Sequence, residues 1–152
     1  MSTRNVLRIG VLAGVAGGAA EVAWVSGYSA LTGASGAAVA RGVTTALLPG
    51  LKGSSHDVGL GIVLHMLLAI GLGVAVTAAF SAPLLRRIGD WSRGTLIVLT
   101  LGLVWAFNFL VVLPILEPGF LTLLPLAATL ASKLLFGVAT AATFRAQGLR
   151  AV

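Results

Sequence analysis

Four apolar stretches, each long enough to cross a lipid bilayer, constrain this chain more than any other feature of its sequence. A span needs about 20 predominantly apolar residues to cover roughly 30 Å of hydrocarbon. The stretches fall at about residues 6–31, 58–82, 94–116 and 119–144. Beyond Arg8 at its start, Glu21 alone interrupts the first and Lys133 alone the last; the second carries no charge but includes His65, and the third is uncharged.

Composition points the same way. Of 152 residues, 58% are hydrophobic and 9% charged, and the mean hydropathy is +1.06. A water-soluble domain carries roughly 25% charged residues because its surface faces water. This chain in water would expose large apolar patches. The expected fold is therefore an all-α membrane protein: four transmembrane helices in a compact bundle, with lipid as the solvent. Absence of cysteine excludes disulfides, thiolate metal sites and redox thiols. The preference for Ala, Gly and Arg hints at a GC-rich bacterial genome.

A net charge of +6 would suit nucleic-acid binding only if the basic residues formed a patch or stripe. They flank the apolar runs instead, which reads as topology determinants beside anionic headgroups. No nucleic-acid partner is expected. Arg4, Arg8, Arg86, Arg87, Arg93, Arg145 and Arg150 fall on one side of the four spans, and Arg41 and Lys52 on the other. Short cytoplasmic loops are enriched in Lys and Arg, so both termini are predicted inside, in a bacterial cytoplasmic (inner) membrane. Arg4 and Arg8 ahead of apolar residues 9–20 resemble the start of a signal peptide. The run continues through Trp24 and Tyr28 without a clear cleavage region, so a retained helix is expected.

The outer connections differ. Pro114, Pro118 and Gly119 suit a tight turn between spans three and four. Residues 32–57 form a longer outer loop, within which 36–48 is a candidate helix lying on the membrane surface, ended by Pro49 and Gly50. Residues 72–80 match residues 136–144 at five of nine positions, and the same offset sets Arg86 on Arg150. That suggests two repeated helical hairpins related by an axis along the membrane normal.

Within the spans, small and polar residues mark candidate packing seams. Gly10, Gly14, Gly17, Glu21, Trp24 and Tyr28 form a stripe down span one, and Gly10, Gly14 and Gly18 add two Gly-xxx-Gly steps. Span two offers Gly61, His65, Ala69, Gly73 and Thr77, and span four Thr129, Lys133 and Gly137. Such residues let helix backbones approach closely in lipid.

Glu21 and Lys133 are the most informative pair. Each alone costs roughly 2.5–3.5 kcal/mol at mid-span, so a partner or an aqueous cavity is expected. Glu21 lies about 20 Å beyond Arg8 and Lys133 about 18 Å before Arg145, at 1.5 Å per residue. Equal depth predicts that they pair across spans one and four. The pair either pins helix register or forms a proton-sensitive or ligand-binding site. Asn108, with Trp105 one turn away, and Ser132 are candidate hydrogen-bonding neighbours. His65 is read as nearer the outer side, either a packing histidine or a contact for haem b; His56, nine residues earlier, is too far along one helix to clamp the same haem.

No nucleotide fingerprint, metal pair or catalytic triad is present, so no enzyme is expected, and no cofactor beyond the haem b possibility. Three functions remain. The first is a structural or accessory subunit of a membrane complex, docking other membrane-protein subunits or a copy of itself through glycine faces. The second is a small oligomeric transporter or channel using Glu21 and Lys133. The third is a redox subunit with haem or quinone near His65.

Overall fold

The computed structural model describes residues 2–82 and 89–147. Arg86, Arg87 and Arg150, three of the residues used to orient the chain, lie outside the described residues, and so does the match of Arg86 to Arg150. Among the described residues all regular structure is helical.

Helix α1 spans Thr3–Thr32. Ser2 caps its start by accepting a hydrogen bond from the Asn5 amide. Gly33 ends it with a left-handed φ of 77°, and its N–H bonds to the Ser29 carbonyl. Helix α2, Gly36–Leu47, is capped by the Ser35 hydroxyl and is followed by a 3-10 turn at Pro49–Leu51. Helix α3 covers Asp57–Phe80. Helix α4 runs over Asp90–Phe107 and continues through a π-helical turn, Asn108–Val112, into Leu113–Leu116. Helix α5 is Leu126–Ala146. Four of these helices are long and apolar enough to cross a membrane: Thr3–Thr32, Asp57–Phe80, Trp91–Leu116 and Leu126–Ala146.

One expected turn residue and one expected boundary move, both at prolines, while the third span ends at Leu116 as expected. Pro114 is not in a turn between helices; the helix passes through it to Leu116. A proline lacks the N–H for the i−4 carbonyl and clashes with it. The wider π turn just before it opens the backbone at Leu110 and lets the helix continue. The last long helix begins at Leu126 rather than near residue 119, because Pro118–Thr122 coils as a 3-10 helix and Pro125, at φ −58° and ψ 141°, stands as the N-cap. Apolar residues there are not helical residues.

Helix α1 packs between α3 and α5, α4 packs on α5, and α3 touches α4 only lightly. The long helices therefore follow one another in space as α3, α1, α5, α4, with a light contact between α3 and α4. Burial agrees: 39% of the most apolar window of α1 and of α5 is buried, against 17% for α3 and 22% for the α4 region. The core joins Ile9 and Ala13 of α1, Ala69, Val76 and Phe80 of α3, Ile97 and Leu101 of α4, and Phe136 and Phe144 of α5.

The glycine seams set these contacts. A Cβ on Gly14 would meet the backbones of Ile70 and Ala69, and one on Gly10 the backbone of Val74. Residues rising along α1 meet residues falling along α3, so the two helices are antiparallel. Gly73 sits against Gly14 and Gly10 in return. Gly137 fills the same role between α5 and α4, against Val98. Gly73, Val76 and Phe80 are buried, as are Gly137, Thr140 and Phe144 at the matched positions.

Helix α2 is present in the connection between α1 and α3, but it lies along α3. Ala40 fits against Gly61, and Thr44 and Arg41 against Asp57. The fully buried Thr44 hydroxyl donates to the Asp57 carbonyl at 2.6 Å, and Arg41 Nε sits 3.3 Å from Asp57 Oδ1. Gly42 abuts Phe120 and Leu123, so α2 is wedged against the connection between α4 and α5.

Candidate functional site

Two seams leave α1 at slightly different angles. Gly10, Gly14 and Gly18 face α3, while Gly17 faces the Phe136 ring on α5. Glu21 is three residues past Gly18 and four past Gly17, one turn beyond both, so its carboxylate stands where the seams converge. Residues of α3 and α5 meet there.

Lys133 Nζ lies 2.7 Å from Glu21 Oε1, a direct charge-assisted bond between α1 and α5. Lys133 also stands 5.0 Å from the centroid of the Phe136 ring on its own helix. His65 Nε2 lies 3.6 Å from the other carboxylate oxygen, Oε2. That distance is too long for a hydrogen bond. Both atoms are buried and neither has a hydrogen-bond partner. The Glu21 side chain is 6% exposed, Lys133 17% and His65 28%. The carboxylate is thus sealed inside, and the cluster reaches the surface of the fold through the imidazole and the ammonium.

Two tryptophans hold the surrounding register. Trp24 Nε1, one turn beyond Glu21, donates to the Ala128 carbonyl at 2.9 Å. Trp105 Nε1 donates to Thr129 Oγ1 at 3.0 Å, and that hydroxyl donates to the Leu126 carbonyl at 2.9 Å. Helices α1 and α4 are therefore both tied to the first turn of α5, and Lys133 is one turn further along.

No family model, characterised protein or solved structure matches the chain. What the site can do must be read from its own atoms.

Among the described residues, neither Asn108 nor Ser132 is hydrogen-bonded to Glu21 or Lys133. Asn108 opens the π turn of α4, and α5 stands between α4 and α1. Ser132 is buried, but it points about 100° around the helix from Lys133. Trp105 serves Thr129, not the charged pair. His65 is the residue whose place sequence reasoning missed. Its span position nearer residue 57 was read correctly, eight residues or about 12 Å from Asp57; what was missed is its place beside Glu21. Measured from Phe80, the last residue of its helix, it is fifteen residues or about 22 Å in, level with Glu21. The signal was its place one turn before Ala69 and two before Gly73 on the face that packs on α1.

Chemically, the cluster joins one carboxylate, one ammonium and one imidazole. Among the described residues no group of three or more His, Cys and acidic side chains could hold a metal ion. His65 Nε2, a usual haem-ligating atom, faces Glu21, so iron at that atom would displace the carboxylate contact. His56 is exposed and pairs with Ser55 Oγ at 3.0 Å, away from the cluster.

Proposed function

We propose that the chain is a small multi-pass protein of the cytoplasmic membrane, with both termini inside, that moves an ion or small solute through the Glu21–Lys133–His65 cluster. The supporting observation is Glu21 Oε2: buried, acidic, unbonded, and one imidazole away from the surface of the fold. An acid, a base and an imidazole inside a bilayer are costly to keep and commonly mark ion or proton pathways. A register pin alone needs one satisfied pair. It would not need an acceptor left open or a third ionisable group.

The test is flux. Purified protein in vesicles should carry current or solute above empty vesicles, with protons, sodium, potassium and chloride as probes, and Glu21→Gln should abolish it. Wild-type vesicles as tight as empty ones, across all four probes, would reject the reading.

A second reading, an accessory subunit or a self-associating one, is favoured by one surface. Gly71, Ala75 and Ala79 lie four residues apart on the exposed side of α3, and nothing stands within 4 Å of where a Gly71 Cβ would be. The seams at Gly10, Gly14, Gly17, Gly18, Gly73 and Gly137 are filled by the chain's own helices, so docking would use this other face. Four helices form a thin pore, and self-association there would also serve transport. Purification in mild detergent decides it: a lone monomer under every gentle condition counts against association. The haem form of the redox reading predicts a Soret band in the purified protein.

A further inference from the structure

We infer that the ion bound at this centre is a proton, held between His65 Nε2 and Glu21 Oε2; this rests on the transport reading above and names its coupling ion. The gap between the two atoms decides the ligand. A bridging water with two 2.8 Å bonds at a tetrahedral angle needs about 4.5 Å between its partners. The gap is 3.6 Å. It is too narrow for water, and less than 1 Å too wide for a direct bond. Rotation of one side chain closes it, and only a hydrogen then fits between.

Charge argues against larger cations. Lys133 already sits 2.7 Å from Oε1 and neutralises the single carboxylate. A sodium or divalent ion on Oε2 would face that ammonium across one carboxylate, with a single imidazole as its other ligand. A proton is shared at far less cost, because the charge it brings is spread over the imidazole ring.

The step balances simply. With the resident N–H on the buried Nε2, a proton from water binds the Nδ1 lone pair on the side of the ring turned away from Glu21. The imidazolium then donates to Glu21 Oε2 while Lys133 keeps Oε1. Departure of the proton to water on the other side restores neutral imidazole. Glu21 keeps its bond to Lys133 throughout, with the imidazolium as a second partner in the loaded state.

Few other groups compete. From α1, Tyr28 stands two turns beyond Glu21; from α5 the facing group is Lys133. From α2, Arg41 is taken by Asp57 at the first turn of α3. From α4, which barely touches α3, the charged side chains Arg93 and Glu117 lie toward its two ends.

Two measurements on the full-length protein test the site. The chain has two histidines, so His56→Gln leaves His65 as the sole imidazole for nitrogen NMR in lipid nanodiscs. The expected result is reversible protonation of that ring as the pH is varied, displaced when Glu21→Gln is added. In phosphatidylethanolamine–phosphatidylglycerol vesicles holding a pH-sensitive dye, a potassium diffusion potential should drive proton entry. His65→Gln and Glu21→Gln should each return the rate to that of empty vesicles.

Titration of the ring together with His65-dependent proton entry supports the proposal. Proton entry that survives His65→Gln but not Glu21→Gln overturns the proton site and leaves transport standing. A titrating, Glu21-coupled ring in a protein that carries no ion supports the site and rejects transport. A ring that never titrates overturns the proposal whatever the flux.

Discussion

Glu21 has one oxygen committed to Lys133 and one facing His65, and this asymmetry separates stability from chemistry. Breaking a buried pair by removing one partner strands the other charge and costs about 3–5 kcal/mol. Glu21→Ala and Lys133→Ala should each lower the unfolding temperature of the purified protein, and the double apolar replacement should recover part of the loss. Additive losses in that cycle would show that the two charges do not stabilise each other. His65→Gln removes no direct hydrogen bond to Glu21, so it should cost less than either alanine replacement of the pair while flux is lost. Trp24→Phe is a useful control: it deletes the donor to the Ala128 carbonyl, worth about 1 kcal/mol, without touching the charges. The pairing was readable in the sequence because two lone charges in apolar helices at equal depth have few other places to go. The idle roles of Asn108 and Ser132 were not, since hydrophobicity and spacing do not say which helix stands between two others.

At the scale of elements, small residues place helices and prolines place their ends. A side chain at Gly14 has no room to give, because what it meets is the backbone of α3 at Ala69 and Ile70. Gly14→Leu should therefore destabilise the protein by about 1–3 kcal/mol or more through overpacking, and His65 should move away from Glu21 as α1 and α3 separate. The same change at Gly71, which meets nothing, should leave a monomer's stability unchanged; equal loss at both sites would mean the α1–α3 seam is not tight. Helix α2 offers a contrast in magnitude. Arg41 is half exposed, and an exposed ion pair is worth about 0–1 kcal/mol. Thr44 is fully buried with its hydroxyl on the Asp57 carbonyl. Thr44→Val should thus loosen α2 more than Arg41→Ala does, read as faster amide exchange over Gly36–Leu47; the reverse order would assign the latch to the ion pair. The existence and apolar character of all four long helices were legible from the sequence. The start of α5 was not, because residues 119–125 are as apolar as a span and only Pro125 marks the boundary. Nor was the π turn, which answers a proline two residues beyond it.

For the whole molecule, the row α3, α1, α5, α4 puts the two most buried helices in the middle and makes the cluster a property of three helices that are not consecutive in sequence. Each neighbouring pair is antiparallel, so the α1–α3 and α4–α5 connections gather α2, Lys52 and Glu117 at one end. Arg4, Arg8, Arg93 and Arg145 gather at the other, with the Arg145 guanidinium 4.2 Å over the exposed Trp91 ring. A tryptophan and arginines at one end suit a headgroup boundary, and the excess of arginine suits the cytoplasmic leaflet. A fluorescent protein fused after Val152 should therefore light up in cells, and alkaline phosphatase fused there should stay inactive. Phosphatase inserted at Gly53, in the connection between α2 and α3, should be active. The opposite pattern would reverse the orientation. It would leave every helix contact intact, since antiparallel register makes no reference to the bilayer, and would change only the side from which a proton first meets His65. The cluster lies about 10 Å from the start of α5 and about 12 Å from the start of α3 at 1.5 Å per residue, both at the outer end. The predicted orientation therefore gives the shorter proton route to the outside and leaves the longer one, past the Gly10–Val74 seam, to the cytoplasm.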